Sequence, residues 1–245
     1  MHIRVITPIT THGYSPLDGF REYVDAATVL SQVELDHGPA SIECEFDEML
    51  AAPATVARAI AAEREGVDAV VIDCMGDPGL QAAREAVQIP VLGPCEACMH
   101  VAAMMGQAFS VLTVLDTTSP GFVKRARVYG VADRLASVRS VNIPVLSLKG
   151  DHSPVLAALT EQAVQVVRDD GAHVIIFGCT GMKGLAGALG AELAAQGYGG
   201  VPVIDPMPTT LRMAEAFAKV GIQHSRRTYH TPPRKRIDGY SFLGL

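Results

Sequence analysis

Tryptophan is absent from this chain, and only 5% of its 245 residues are aromatic. Positive charge is short too. Twenty Lys and Arg against 26 Asp and Glu leave a formal net charge of −6, so nothing favours nucleic acid or an anionic membrane surface as a partner. No apolar run approaches the roughly 20 residues a membrane-spanning helix needs. The opening stretch Met1 to Thr7 is broken by Pro8, too early for a secretory signal core, and is expected to form a strand. The five cysteines are an odd number and too sparse for a disulfide scaffold; they suit reduced thiols in a cytoplasm. Neither the glycines around Gly76 nor Gly197-Tyr198-Gly199-Gly200 fit a dinucleotide fingerprint, and no phosphate loop is present. What remains is 49% hydrophobic and 19% charged, a globular profile long enough for one large α/β domain or two small ones.

One stretch is written twice. Glu63-Arg64-Glu65-Gly66 leads into Val67 to Ile72, apolar but for Asp68, and then Asp73-Cys74; Arg168-Asp169-Asp170-Gly171 leads into Ala172 to Phe177, apolar but for His173, and then Gly178-Cys179. Gly79-Leu80 and Gly184-Leu185 follow at matching distances, so the two copies stand 105 residues apart, from 74 to 179. Weaker echoes agree. Arg4-Val5-Ile6-Thr7 resembles Ser110-Val111-Leu112-Thr113, Val33 to Asp36 resembles Ser137 to Val141, and Gly93-Pro94 matches Asp205-Pro206.

Strand and helix signals alternate along both copies. Helices are expected at Leu17 to Leu30, from Pro53 to Gly66, and over about 78–87, 95–105, 154–168, 182–196 and 209–220. Strands are expected at 2–7, 33–36, 67–73, 90–93, 108–114, 137–141, 172–178 and 201–204. A repeat this long is no solenoid unit. The expected fold is α/β: two pseudo-twofold-related Rossmann-like domains, each a mostly parallel sheet flanked by helices, with an active site in the cleft between them. The first domain takes residues 1–94 plus 206–225, the second 95–205, and 226–245 form a C-terminal tail that serves as a surface or subunit-contact arm.

In open parallel sheets ligands lie beyond the carboxyl ends of the strands, which is where Cys74 and Cys179 fall. Each precedes a small-residue turn opening toward a helix, Met75-Gly76-Asp77-Pro78 and Thr180-Gly181-Met182-Lys183. Backbone N–H groups in such turns favour a thiolate. A single free cysteine is usually just a small buried hydrophobe. Two at matched positions of a repeat point to chemistry: one thiolate removing a proton from a carbon, the opposite thiol returning one to the other face.

Other candidates are weaker. Cys95-Glu96-Ala97-Cys98 is a C-x-x-C, but a zinc site would need a second ligand pair where only Cys44 remains, and the tryptophan usual beside a redox pair is missing; helix packing is expected. His100 is a possible substrate contact. Glu43, Glu45 and Asp47 around Cys44 read as an acidic, solvated loop, with Glu43 also placed to reach a pocket edge. Met75, Met99, Met104 and Met105 are expected in the core.

The residues also carry a resemblance. Asp73-Cys74 with Gly76-Asp77-Pro78-Gly79-Leu80, Gly178-Cys179-Thr180-Gly181-Met182, Glu96-Ala97 with His100, Ser110 to Thr113 and Gly38 to Glu43 resemble the aspartate/glutamate racemase superfamily, most closely its hydantoin racemase branch, which includes allantoin racemases. The resemblance covers the chain to about residue 220. It implies a cofactor-independent isomerase that racemises 5-substituted hydantoins or allantoin-like rings at C5 with Cys74 and Cys179 as its two bases, and that works without a metal. It also implies that the strand-end loops hold the substrate, at Pro8, Ile9, Met75, Gly76, Thr113, Val114, Thr180 and Gly181, with backbone N–H groups on the enolate-like oxygen. A small-molecule substrate and a homo-oligomer are expected.

Two departures from the family pattern stand out. Thr7-Pro8-Ile9-Thr10 replaces its usual Asn-Pro-Asn, and no titratable residue follows the second cysteine in Thr180-Gly181-Met182. A ring carbon acidified by flanking carbonyls needs less help than a free amino acid, so a hydantoin is preferred to aspartate or glutamate. Related carbanion chemistry stays open beside this: an amino-acid or dicarboxylate racemase or isomerase, an arylmalonate-type decarboxylase, or a non-catalytic ligand-binding descendant.

Overall fold

The computed structural model describes residues 1–233 and 235–243. Arg234, Gly244 and Leu245, all in the expected C-terminal tail, lie outside the described residues. The chain divides into two compact units, one made of Met1–Ile42, Phe46–Pro94 and Thr210–Leu245, the other of Glu43–Glu45 and Cys95–Thr209.

The first unit holds β1 (His2–Thr7), β2 (Val29–Glu34), α1 (Glu45–Arg64), β3 (Ala69–Ile72), α2 (Leu80–Ala86) and β4 (Val91–Leu92). From α3 (Pro94–Met105) the chain enters the second unit, with β5 (Phe109–Thr113), α4 (Ser119–Val128), β6 (Leu135–Ser140), α5 (Ser153–Arg168), β7 (Val174–Phe177), α6 (Ala186–Ala195) and β8 (Val203–Ile204). Helix α7 (Pro206–Val220) then returns it to the first. Each unit contains one four-stranded sheet, parallel throughout, and the two orders are the same: β2-β1-β3-β4 and β6-β5-β7-β8.

The third strand of each sheet explains that topology. Ala69-Val70-Val71-Ile72 and Val174-Ile175-Ile176-Phe177 carry no polar residue and are buried at every position, as strands covered by helices on both faces must be. Burying one such Val, Ile or Phe side chain stabilises by about 1.5–3 kcal/mol. In both sheets the first and third strands are neighbours, and the chain leaves them in opposite directions. This is the switch point at which parallel sheets open a crevice for ligands. Cys74 and Cys179 lie just past it, each beyond the third strand of its own sheet.

Several elements differ from the sequence expectation for identifiable reasons. The helix expected at Leu17 to Leu30 is only a 3-10 turn, Leu17–Tyr23, with Gly19 inside it and Phe20 its one buried residue, and Val29 already begins β2. Helix α1 starts at Glu45, not Pro53, so the acidic stretch around Cys44 is the start of a helix, where carboxylates meet the positive end of the dipole. Pro53 sits inside it, and Met49, whose carbonyl loses that hydrogen bond, is 66% exposed, so water can reach it. The helix expected at 182–196 begins only at Ala186, because Gly184 at φ 82 interrupts it. Helix α4, introduced by Ser119-Pro120, is additional. Met75 and Met99 are core residues as expected, but Met104 and Met105 end α3 in solvent, 76% and 63% exposed.

The segment after α7 folds back on the first unit's edge strand. His224 Nε2 lies 2.9 Å from the amide nitrogen of Val91, and Arg84 Nε donates to the Val91 carbonyl at 3.0 Å. Arg226 donates to the carbonyls of Arg84, Glu85, Val87 and Tyr229, capping the C-terminal end of α2, and the Arg84 guanidinium lies over the Tyr229 ring. These residues occupy main-chain groups that an edge strand otherwise offers to another chain. Among the described residues no helix is long and apolar enough to cross a membrane.

Candidate active site

The two cysteine turns have the same local geometry. Cys74 follows β3, and the strand pairing continues one residue further through the amide of Asp73, which donates to the Ile6 carbonyl at 2.8 Å. Cys179 follows β7, where the Gly178 amide donates to the Leu112 carbonyl at 2.7 Å. The chain then turns back on itself: the Asp77 amide donates to the Cys74 carbonyl at 3.0 Å, and the Met182 amide to that of Cys179 at 3.1 Å. Each turn delivers a glycine amide to its sulfur. Gly76 N–H donates to Cys74 Sγ at 3.3 Å, and Gly181 N–H to Cys179 Sγ at 3.4 Å. Both thiols are part-buried, screened from bulk water yet reachable. An amide pointed at sulfur favours the thiolate over the thiol, which a base at carbon requires.

In the first unit the remaining expected site residues lie past the ends of the neighbouring strands β1 and β3. Pro8 and Ile9 follow β1 in a turn closed by Ile9 N–H on the Thr7 carbonyl, 2.9 Å, and both are buried; Met75 is 2% exposed and Gly76 part-buried. Glu48, on α1, lies over Gly76, where an added Cβ would meet its carboxyl oxygen at 2.9 Å. Beneath the turn Asp73 is buried, with Thr7 Oγ1 donating to its carboxylate at 3.1 Å and Gln32 Nε2 donating to Thr7 Oγ1 at 2.8 Å.

In the second unit Thr113 ends β5 and Val114 follows it, both buried, and Thr180 and Gly181 follow Cys179. The Thr113 hydroxyl shares a hydrogen bond with Thr118 at 2.6 Å. Gly178 occupies the place of Asp73 because no side chain fits. A Cβ there would lie 2.8 and 2.9 Å from Cβ and Cα of Thr113. Asp205, directly after β8, is 9% exposed and accepts the Gly184 amide at 2.7 Å, while its Oδ1 has no hydrogen-bond partner among the described residues. Burial pushes its carboxyl above the usual range, only partly offset by the amides of Gly184 and Met207 and by the charge of Lys183.

The weaker candidates fall elsewhere. Cys95 and Cys98 are fully buried in α3, Cys98 Sγ lying 3.9 Å from the Pro206 carbonyl, and His100 is exposed. Glu43 is a structural acceptor, taking the Val145 amide at 2.7 Å. Among the described residues no cluster of three or more His, Cys, Asp or Glu could hold a metal ion. Sequence reasoning missed Glu48, Asp77 and Asp205. A non-glycine residue in a Gly-Asp-Pro-Gly turn is a signal of unusual backbone that could have exposed Asp77; Glu48 left no local signal.

The comparisons agree with this architecture. Residues 3–214 match the family model described as Asp/Glu/hydantoin racemase. The hydantoin racemase of Paenarthrobacter aurescens is 36% identical over 240 residues, spanning 96% of this chain and 99% of that protein. Among solved structures, the allantoin racemase from Klebsiella pneumoniae superposes with a TM-score of 0.91 at 33% identity, covering 99% of this chain and 98% of the other. That from Pseudomonas fluorescens gives 0.90 at 32% identity, covering 98% and 100%. With these relatives, the two-sheet architecture defines a racemase-type isomerase. The chain belongs to the Asp/Glu/hydantoin racemase family.

Proposed function

We propose that this racemase inverts C5 of 5-substituted hydantoins, allantoin among them, with Cys74 and Cys179 as a pair of bases serving opposite faces of that carbon. The observation that carries it is the matched sulfur geometry: each cysteine stands at the switch point of its own sheet and receives an N–H from the glycine two residues on. The relatives supply the substrate class, since allantoin is itself a hydantoin with a ureido group at C5.

The chemistry balances with these groups alone. One cysteine enters as thiolate and takes the C5 proton, while the C–H electron pair moves into the adjacent ring carbonyl to give an enolate. The other enters as thiol and delivers its proton to the opposite face of C5, restoring the carbonyl and leaving as thiolate. The enantiomer formed is released from an enzyme whose two thiols have exchanged protonation states, and exchange with solvent resets them. The enolate oxygen calls for fixed N–H donors, which the turns at Met75-Gly76 and Thr180-Gly181 and the loops at Pro8-Ile9 and Thr113-Val114 are proposed to supply around the ring. Buried Ile9 and Val114 suit a neutral ring better than the charged ends of an amino acid, whose ammonium and carboxylate need polar partners.

The test is racemisation in deuterated buffer, followed by circular dichroism and by proton NMR at C5. Single enantiomers of allantoin and of 5-benzyl-, 5-isopropyl- and 5-methylthioethylhydantoin are given to wild type, Cys74→Ser and Cys179→Ser. Loss of rotation with deuterium incorporation in wild type, and no loss of rotation in either variant, is the expected result. Racemisation that survives both substitutions would remove the cysteines from the chemistry, and no exchange with any hydantoin by wild type would remove the substrate class.

A further inference from the structure

A buried carboxylate lies against each cysteine turn, and the two units supply it from opposite sides of equivalent gaps. In the first unit the gap lies between the turn after Cys74 and Gly93, the residue that follows β4. An ideal Cβ built on Gly93 would stand 2.5 and 2.7 Å from the carboxylate oxygens of Asp77, so the Asp77 side chain fills the place a residue-93 side chain would take. Asp77 is 6% exposed and adopts φ 47, a left-handed conformation rare outside glycine.

In the second unit the strand register reverses the donor of that group. Val70 and Val71 pair with Val91 and Leu92 as Ile175 and Ile176 pair with Val203 and Ile204, so Asp205 stands where Gly93 does. The counterpart of Asp77 is Met182, apolar and fully buried. Asp205 reaches from the strand end into the turn and holds the Gly184 amide at 2.7 Å. In both units the carboxylate lies between the turn and the residue that leads into the next helix, α3 or α7.

We propose that Asp77 and Asp205 are equivalent positioning residues, each fixing the turn whose glycine amide holds a catalytic sulfur, Cys74 for the one and Cys179 for the other, and that the carboxylate can be moved across the gap without loss of function. The proposal rests on the two-cysteine mechanism and extends it. A turn made of Met-Gly or Thr-Gly has little of its own to hold it still, and a displacement of about 1 Å at a reacting group costs on the order of 100-fold in rate. A buried carboxylate packed into the gap, as Asp205 is on the Gly184 amide, pins such a turn.

The experiment moves the carboxylate. Asp77→Gly suits φ 47, and Gly93 is not in the left-handed region, so Gly93→Asp is compatible with its backbone. Racemisation of enantiopure allantoin and the three hydantoins is measured for both singles, the double, Asp205→Ala and Asp205→Asn. Asp77→Gly is expected to lower kcat by about 30–100-fold with KM within about threefold. Gly93→Asp alone crowds Asp77 and is expected to do the same. The double variant should return to within about threefold of wild type, a strongly non-additive pair. Asp205→Ala should match Asp77→Gly, and Asp205→Asn, which keeps an acceptor for Gly184, should lose about fivefold or less.

Site-resolved alkylation with iodoacetamide, read by mass spectrometry, needs no turnover. Asp77→Gly should change the rate at Cys74 by about threefold or more and leave Cys179 within about twofold, and Asp205→Ala should do the reverse. Additive losses in the double variant, wild-type kcat in Asp77→Gly, or equal changes at both cysteines in every variant would each overturn the proposal. Cys74→Ser and Cys179→Ser run alongside. If both racemise normally the two-cysteine mechanism fails, while alkylation still judges the carboxylates; if both are inactive and Asp77→Gly is not, the carboxylate proposal alone fails.

Discussion

The two units arrive at one sulfur geometry by different side chains. Strand order, the residue pairing of third with fourth strand and the glycine amide on sulfur are common to both. The residue before the cysteine is not: a buried aspartate with a threonine hydroxyl on it in one unit, a glycine wedged against Thr113 in the other. The edge strand differs too, since β4 is closed by His224 from the segment after α7 and by Arg84 from α2. Backbone arrangement is the constant here, and the side chains beneath it are free to change provided each buried polar group keeps a partner.

The largest way to break the comparison is to remove the sulfurs singly. Under the two-base mechanism Cys74→Ser and Cys179→Ser should each lower racemisation by about 10³-fold or more, because a hydroxyl is a far poorer base at neutral pH and neither partner can invert the centre alone. What remains should differ between them. Each variant keeps one competent thiolate, so each should exchange C5–H for deuterium in one enantiomer without inverting it, and the two variants should choose opposite enantiomers. NMR of each pure enantiomer in deuterated buffer reads this directly; the same enantiomer exchanging in both variants would mean that the sulfurs do not serve opposite faces.

The position before each cysteine gives the next largest effect. Gly178→Ala places a Cβ within 2.9 Å of the Thr113 backbone, which has no rotamer by which to retreat, and should cost about 2–3 kcal/mol. Asp73→Ala removes a hydrogen bond but opens no clash, and Gln32 stays on Thr7, so the cost should be nearer 1 kcal/mol. Chemical denaturation of the two variants should keep that order. Equal costs would mean that the glycine is not sterically required.

Much of this was legible in the sequence because it depends on repetition and period. Two all-apolar strands 105 residues apart, each ending in Cys and a Gly-containing turn, disclose parallel sheets and two matching cysteine turns without any three-dimensional knowledge. The start of α1 was not legible. Pro53 looks like a first-turn proline, and only the tertiary setting of Glu45 to Ala52 shows that the helix began two turns earlier. Asp77 and Asp205 were hidden for a different reason. They do the same job from non-equivalent places, so aligning the repeat with itself sets Asp77 against Met182 and Asp205 against a glycine. A function that moves between chain positions leaves no sequence echo.

The edge strands supply a smaller test. Arg226→Ala withdraws donors from three carbonyls at the end of α2 and from that of Tyr229, and should cost about 1–2 kcal/mol. Hydrogen exchange should show the loss locally. Protection should fall at Val87 to Leu92 and stay unchanged at Val203 and Ile204. Equal loss at both strands would mean that the segment acts on the fold as a whole and not on its own edge.

The finest comparison lies between the two ends of β7. Asp170, before the strand, is held by Arg139 through Nε at 2.7 Å and Nη2 at 2.9 Å, and this pairing keeps its carboxyl below the usual range. Asp205, beside the turn that follows the strand, is pushed above that range by burial. The pH dependences should therefore have opposite signs. For Asp170 the folded state holds its proton more weakly than the unfolded chain, so the pairing stabilises above about pH 3.8 and that contribution is lost as pH falls through the folded value. For Asp205 the folded state holds its proton more tightly, so wild type loses stability as pH rises from 3.8 through the raised value. Denaturant melts across pH 3 to 7 should show Asp170→Asn least stable relative to wild type at the upper end. Asp205→Asn, freed of a buried charge while keeping an acceptor for Gly184, should gain relative to wild type as pH rises and level off once Asp205 has ionised. Slopes of the same sign in the two variants would mean that Asp205 is stabilised as an anion, and that its buried oxygen has a partner in solution.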